Sequence, residues 1–318
     1  IILITHKLKE VFQVADRITI LRDGKLIKTL SSKACDEDQL ISLMVGRQIQ
    51  NLYPVKAKRE LGETVLSVKG LTVAHPRIAH KKLLNDVSFS VSAGEILGVA
   101  GLMGSGRTEM MMAIFGALGL PATGSIEVDG RAVKIGSPRA AQALGLGLAS
   151  EDRKRFGLIL EDPIYKNITL PSLSKYSKFG IVQKSSEMRA SAEIAAKFRV
   201  KAPDVSFRTK NLSGGNQQKV VLSKCVLKGP KVLFLDEPTR GIDVGARSEI
   251  YEWIVRLAAE GLAIVVVSSE LQEVMGLSDR VLVMCEGRIT DEFEAGQASE
   301  EKIMSAATRF STALGVYS

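Results

Sequence analysis

Two adjacent carboxylates, Asp236 and Glu237, end an apolar run rich in β-formers, Val232-Leu233-Phe234-Leu235. Such a run reads as a buried parallel strand that delivers its last side chains to the carboxyl edge of a sheet, where open α/β folds place their ligands. Upstream lies Leu212-Ser213-Gly214-Gly215-Asn216-Gln217-Gln218, with Gly229-Pro230 after it. Ser-Gly-Gly can open a helix and Gly-Pro can close it. A helix beginning on small residues turns its free N–H groups and positive dipole end toward an anion, most plausibly phosphate. A third stretch, Gly101-Leu102-Met103-Gly104-Ser105-Gly106-Arg107-Thr108, has the glycine spacing of a phosphate-binding loop, with Arg107 where lysine is expected. The chemistry these residues point to is phosphate recognition beside a carboxylate pair.

Elements must bring the three stretches together. An apolar strand over 95–100 precedes the glycine loop, and a helix over 109–115, which Gly116 can end, follows it. This is the strand–loop–helix context that a phosphate loop requires. Alternating Val65, Ser67 and Leu71, then Val87-Ser88-Phe89-Ser90-Val91, predict an antiparallel edge sheet, and 124–130 reads as a further short hairpin. From Glu151 to about Thr209 the pattern turns helical and polar, with an amphipathic helix over 185–198. A helix over 246–260 and a strand over 263–267 complete the core. The expected fold is α/β: a P-loop nucleotide-binding domain with a parallel-sheet core, an antiparallel β subdomain and an inserted helical subdomain.

The bulk properties narrow the class. The chain has 318 residues, 45% of them apolar, enough for one large core or two smaller ones. Cys35, Cys225 and Cys285 are odd in number and scattered, which suits a reducing compartment and argues against a disulfide framework or a zinc site. No apolar run approaches the length of a membrane span. The net charge of +8 is interleaved with acids nearly everywhere, and only Arg153-Lys154-Arg155 clusters. With aromatics at 5%, stacking platforms for single strands are not expected, and nucleic acid is not an expected partner.

Residues 1–26 align without gaps onto 264–289, with identities at Ile1/Ile264, Leu8/Leu271, Glu10/Glu273, Val11/Val274, Asp16/Asp279, Arg17/Arg280 and Gly24/Gly287. Both copies read as strand, helix and hairpin, and each continues into a short helix, around 38–44 and 300–307. The chain opens inside an apolar strand, Ile1–Ile4. Residues 1–50 are therefore expected to be the C-terminal remnant of a first domain, 51–63 a short charged linker around Pro54, and 64–318 a second copy. On this reading the chain is N-terminally truncated.

The phosphate loop, Leu-Ser-Gly-Gly and the Asp-Glu pair together resemble the nucleotide-binding domain of the ATP-binding-cassette family. Asp-Glu-Pro-Thr-Arg-Gly-Ile-Asp at 236–243, Ser-Glu-Asp-Arg-Lys-Arg at 150–155 and the tandem layout resemble a narrower group, the double-cassette ATPases that drive bacterial monosaccharide import. Leu71-Thr72 with His75-Pro76, and Lys166-Asn167-Ile168-Thr169-Leu170, bring the likeness nearest the D-xylose branch. The resemblance implies that the backbone of Gly101, Leu102, Met103, Gly104, Ser105, Gly106, Arg107 and Thr108 cradles the phosphates of ATP. It further implies that Thr108 and Asp236 hold Mg²⁺ and that Glu237 polarises the attacking water. Leu212, Ser213, Gly214, Gly215 and Gln217 would clamp a nucleotide held by the partner cassette, and Asp243 would lie at the cassette–cassette contact. Glu151 stands where the family has a glutamine that senses the γ-phosphate, and Ser269 stands where the first copy has His6. The implied partners are membrane permease subunits and, indirectly, a periplasmic sugar-binding protein, at the cytoplasmic face of the inner membrane. Arg107, Glu151 and Ser269 depart from the family pattern, so this site is expected to bind nucleotide better than it hydrolyses it. Two alternatives stay open: a soluble double-cassette protein acting on ribosomes or nucleic acid, and an inactive fragment. The linker at 51–63 is shorter than the first of these carries.

Overall fold

The computed structural model describes residues 1–4, 8–22, 25–34, 36, 39–40, 43, 53–54, 59–78 and 80–310. The chain begins with a helix, Leu8–Val14, and a two-stranded ribbon, β1 (Arg17–Arg22) and β2 (Lys25–Ser31). The main body follows with β3 (Thr64–Ala74), β4 (Lys82–Ser92), β5 (Ile96–Gly101), β6 (Ala122–Val128), β7 (Arg131–Val133) and β8 (Leu146–Ala149). A two-residue hairpin, β9 (Ser177–Lys178) and β10 (Ile181–Val182), interrupts the helical block. The core then resumes with β11 (Val232–Asp236), β12 (Ala263–Val267), β13 (Arg280–Cys285) and β14 (Arg288–Glu294).

The central sheet has the order β14-β13-β5-β12-β11-β8, parallel except for β14. Its strands are apolar on both faces because both faces are covered. Val232 and Phe234 of β11, with Val265 and Val267 of β12, pack toward the four-stranded antiparallel sheet β4-β3-β6-β7. Leu233 and Leu235, with Ile264 and Val266, pack the other way, against Tyr251, Trp253 and Ile254 of the helix Val244–Ala259. The period of two thus divides one sheet between two cores. Helices Ile164–Thr169, Lys184–Lys197 and Gly214–Leu227 form the helical block on that second side. Buried Asn167 pins this block: its Oδ1 accepts from Ile159 N at 2.7 Å, and its Nδ2 donates to Ile159 O and Thr209 Oγ1 at 2.9 and 3.0 Å.

The internal repeat is visible in the structure. Under the same gap-free alignment, helix Leu8–Val14 matches Leu271–Leu277 end for end. The pairs Arg17↔Ser31 and Leu21↔Leu26 match Arg280↔Glu294 and Met284↔Ile289, and both ribbons slip register at the same place, Ile20/Leu21 and Val283/Met284. One expectation is overturned: Ile1–Ile4 form no strand and lie exposed. Their counterparts in β12 are held between β5 and β11, and no strand flanks Ile1–Ile4 among the described residues. The short helix expected around 38–44 falls partly outside the described residues.

Two residues of the stretch expected to be a linker, Tyr53 and Arg59, pack against the main body. Tyr53 stacks on Tyr251 with ring centroids 5.2 Å apart, against Gly276. Arg59 donates through Nε to Gly94 O at 2.7 Å and pairs with Asp279, whose Oδ2 also accepts from Ile96 N at 2.8 Å.

Candidate functional site

The loop after β5 is shaped by glycines in backbone conformations that L side chains rarely adopt. Gly101, Gly104 and Gly106 have φ of 154°, 79° and 99°. A Cβ on Gly101 would lie 2.5 Å from Met284 O, and one on Gly106 3.0 Å from Gly287 Cα. The β13–β14 turn closes on the loop from outside, with Gly287 N donating to Ser105 O at 2.8 Å. The helix Arg107–Ile114 then begins with Gly106 as a left-handed N-cap, so the first backbone N–H groups remain free for an anion. This is why the helix starts earlier than the expected residue 109.

Beneath the loop, Thr108 Oγ1 donates to Asp236 Oδ2 at 3.0 Å. Asp236 is 4% exposed, and its Oδ1 has no hydrogen-bond partner; neither does the buried Ser105 Oγ. Burial pushes the Asp236 pKa up to about 6, against the hydrogen bond from Thr108. A hydroxyl at the helix start beside a half-unsatisfied buried carboxylate is the donor set a hard divalent cation takes, so these residues fit Mg²⁺.

Glu237 follows with a left-handed backbone, φ 47°, its N–H donating to Val267 O at 2.8 Å. Ser269 Oγ donates to Glu237 Oε2 at 3.1 Å, and Arg107 Nη2 stands 3.9 Å from Oε1. Arg107 Nη1 donates to Ser268 O at 2.5 Å. The guanidinium therefore lies back across the strand ends, tying Glu237 to the loop after β12. Burial raises the Glu237 pKa, offset by Arg107 and by Ser269, and burial lowers that of Arg107.

Ser105, Gly106, Arg107, Glu237 and Ser269 line a cleft of about 410 Å³ with Met103, Gly104, Thr108 and Glu151, whereas Gly101, Leu102 and Asp236 do not line it. Arg240, Glu109 and Glu270 line it too, and no motif spacing marks any of the three. Arg240 forms an ion pair with Glu151, and its carbonyl accepts from Arg153 Nη1 at 2.9 Å. Arg153 is thus held by the 240–241 loop, leaving Lys154 and Arg155 exposed.

The Leu212–Gln217 segment does not line this cleft. Ser213 caps its helix, accepting from Asn216 N at 3.4 Å. Gly215 is required because its helix crosses the next one closely: a Cβ there would sit 2.4 Å from Ala246 Cβ. Buried Gln217 donates to Thr209 O and Leu212 O, each at 3.3 Å. Asp243 caps the helix Val244–Ala259, accepting from Ala246 N at 3.0 Å. His75 Nδ1 accepts from Arg77 N and Ile78 N in a turn. His6 lies outside the described residues.

A parallel sheet, a glycine-rich loop opening a helix, and a strand-end Asp-Glu pair define a P-loop nucleotide-binding cassette. The chain belongs to the ABC transporter family, whose sequence profile matches residues 84–240. It is 49% identical over 307 residues to the xylose import ATP-binding protein XylG of Geobacillus kaustophilus, covering 96% of this chain and 60% of that protein. It is 47% identical over 311 residues to the L-arabinose transport ATP-binding protein AraG of Geobacillus stearothermophilus, covering 97% and 60%. To the ribose import ATP-binding protein RbsA of G. kaustophilus it is 48% identical over 308 residues, again covering 97% and 60%. The chain thus spans about 60% of the length of these curated relatives. The fold is similar to a nucleotide-free ATP-binding cassette from an ABC transporter, with a TM-score of 0.63 at 20% identity, covering 77% of this chain and 96% of that one. It is equally similar to the ATP-binding cassette MJ0796 in a dimeric post-hydrolysis state with ADP and Pi, with a TM-score of 0.63 at 20% identity, covering 72% and 98%.

Proposed function

We propose that this chain is part of the ATP-binding and ATP-hydrolysing subunit that powers monosaccharide import across the bacterial inner membrane. D-xylose is the favoured cargo, with ribose and galactose as alternatives; the names of the relatives support sugar import in general. The observation that carries the nucleotide reading is Thr108 hydrogen-bonded to a buried, half-unsatisfied Asp236 beneath a glycine loop.

The N–H groups of Gly101–Thr108 bind the β- and γ-phosphates of ATP, and Thr108 and Asp236 hold Mg²⁺. When bound, that cation offsets charge on the phosphate oxygens. Glu237 orients the attacking water, with Ser269 fixing its carboxylate. Arg107 is turned onto Glu237 and the Ser268 carbonyl, and Ser269 stands where the first copy has a histidine, so two contacts to the phosphates depart from the family pattern even though burial leaves the Glu237 pKa raised. Losing one preorganised contact to the developing charge costs ~10²–10³ in rate. This cleft is accordingly the slower of two sites. Residues 1–50 belong to a first cassette, 51–63 to the linker and 64–318 to the second cassette. In a head-to-tail pair, His6 and the Leu212–Gln217 segment face one shared ATP. The partners are the membrane permease subunits and, through them, a periplasmic sugar-binding protein, with the ATPase peripheral at the cytoplasmic face. No helix among the described residues is long and apolar enough to cross a membrane. Nucleic acid is not a partner on this reading.

Titration with a fluorescent ATP analogue and Mg²⁺ tests it. Saturation in the micromolar range, roughly −8 kcal/mol, is expected. No saturation at millimolar nucleotide, from a chain shown by circular dichroism to be folded, overturns the proposal.

A further inference from the structure

A buried carboxylate stands behind the cleft, outside its lining. Glu273, on the helix Leu271–Leu277, is 1% exposed. Thr239 Oγ1 donates to its Oε1 at 2.5 Å, and the hydroxyls of Ser268 and Tyr251 stand close enough to favour its charged form against the rise that burial causes. All three residues are themselves buried. A carboxylate in such a place is tolerated only in polar company, and hydroxyls from three segments surround this one.

The segments are the ones that matter. Thr239 lies in the loop just past Glu237. Ser268 directly follows β12; its carbonyl accepts from Arg107, and its neighbour Ser269 donates to Glu237. Tyr251 carries the connection to the linker: its hydroxyl lies 3.4 Å from Thr239 Oγ1 and its ring stacks on Tyr53. The gap-free repeat pairs Glu273 with an identical Glu10, and Ser268 with another hydroxyl residue, Thr5.

We propose that Glu273 is a positioning residue: it clamps the loop after Glu237 to the loop carrying Ser268 and Ser269, and so sets where Glu237 and Arg107 stand against the nucleotide. Its functional part rests on the nucleotide reading of the cleft, whereas the clamp itself is a property of the ligand-free chain.

The experiment uses the full chain and four variants. Glu273→Met keeps volume and removes every acceptor. Glu273→Gln keeps one acceptor oxygen, Thr239→Val removes one donor, and Phe198→Leu loosens the helical block as a control. Hydrogen exchange is followed over residues 238–243 and 268–271 without ligand, and Mg·ATP affinity is measured by calorimetry. Glu273→Met is expected to speed exchange in both segments about tenfold, and Thr239→Val in 238–243 only. Glu273→Met should weaken Mg·ATP about tenfold, the usual loss when a supporting shell is removed, with Glu273→Gln in between and Phe198→Leu without effect. Unchanged exchange in either segment under Glu273→Met overturns the clamp. Loosened loops with unchanged affinity, or an equal affinity loss in Phe198→Leu, overturn the positioning role. A wild type that fails to bind Mg·ATP while Glu273→Met loosens both loops overturns the nucleotide reading and upholds the clamp. If Glu273→Met does not fold, the same readings are taken from Glu273→Gln.

Discussion

Gly276 offers a prediction whose sign depends on another residue. It lies in the helix Leu271–Leu277, and a Cβ built on it would fall 2.4 Å from Tyr53 Cγ and 2.5 and 2.8 Å from the two Cδ atoms. Those three ring atoms are the nearest neighbours such a methyl would meet, and the backbone there is not left-handed. Gly276→Ala must therefore push the Tyr53 ring away by about 1 Å to restore ordinary contact. The displaced ring loses its stacking on Tyr251, about 0.5–1.5 kcal/mol, and part of its apolar burial, about 1 kcal/mol more. Against this, alanine in place of glycine stabilises a helix interior by about 0.8 kcal/mol. The net cost in the wild-type background is about 1–2 kcal/mol. In a Tyr53→Ala background the clash is gone and only the helix gain remains, so the same substitution stabilises by about 0.5–1 kcal/mol. A double-mutant cycle read by thermal unfolding checks this, at about 2 °C per kcal/mol for a chain this large. Gly276→Ala should lower the midpoint in the parent and raise it beside Tyr53→Ala. Shifts of the same sign and size in both backgrounds would refute the docking of the linker.

Three further outcomes are expected. Thr108→Val removes the hydroxyl beside Asp236, and calorimetry should show Mg·ATP binding weakened by ~1.5–3 kcal/mol while ATP in EDTA binds as before; equal losses in both would count against the cation site. Because the Asp236 pKa is raised to about 6 and a cation needs the ionised form, protons must be released on Mg²⁺ binding below that pH. Affinity for Mg·ATP relative to metal-free ATP should then fall as pH drops through 6, by about tenfold per unit below it, and level off above, whereas Asp236→Asn should show no such slope. Asn167→Ala strands the Ile159 and Thr209 partners of a buried amide and should cost about 2–4 kcal/mol, seen in the unfolding midpoint; a loss under about 0.5 kcal/mol would show that water replaces the amide freely.

The sheet was legible because its strands announce themselves: Val232–Leu235 and the 263–267 run are too apolar and too short for anything but buried strands. The glycine loop was legible from spacing, since left-handed backbone and close approach to Met284 and Gly287 leave few other residues. Boundaries moved where side chains cap. Glu95 reads as strand, but its carboxylate accepts from Ser92 N at 2.8 Å and pairs with Arg280, which holds it in the turn before β5. The charged run after Pro54 reads as a free linker, yet Tyr53 and Arg59 find partners far along the chain. Arg107 was visible as a departure, but its direction was not, because the Ser268 carbonyl that receives it is set by the packing of β12. Arg240 escaped notice inside a motif in which its neighbours had roles; its pairing with Glu151 belongs to tertiary structure.

The duplicated ribbon carries a consequence for handling. β13 shares its outer rail of amide and carbonyl groups with β5, and Met284 there is 0% exposed. In β1 the same rail faces no parallel neighbour among the described residues, and Leu21 and Leu26 stand 65% and 66% exposed. A cross-strand pair of exposed leucines is an apolar patch on which copies of the chain can meet. Concentrated stocks of this chain should accordingly turn cloudy with time, and do so faster in high salt, where the +8 charge that keeps molecules apart is screened. Leu21→Lys would break up this apolar pair and lengthen shelf life without touching the cleft.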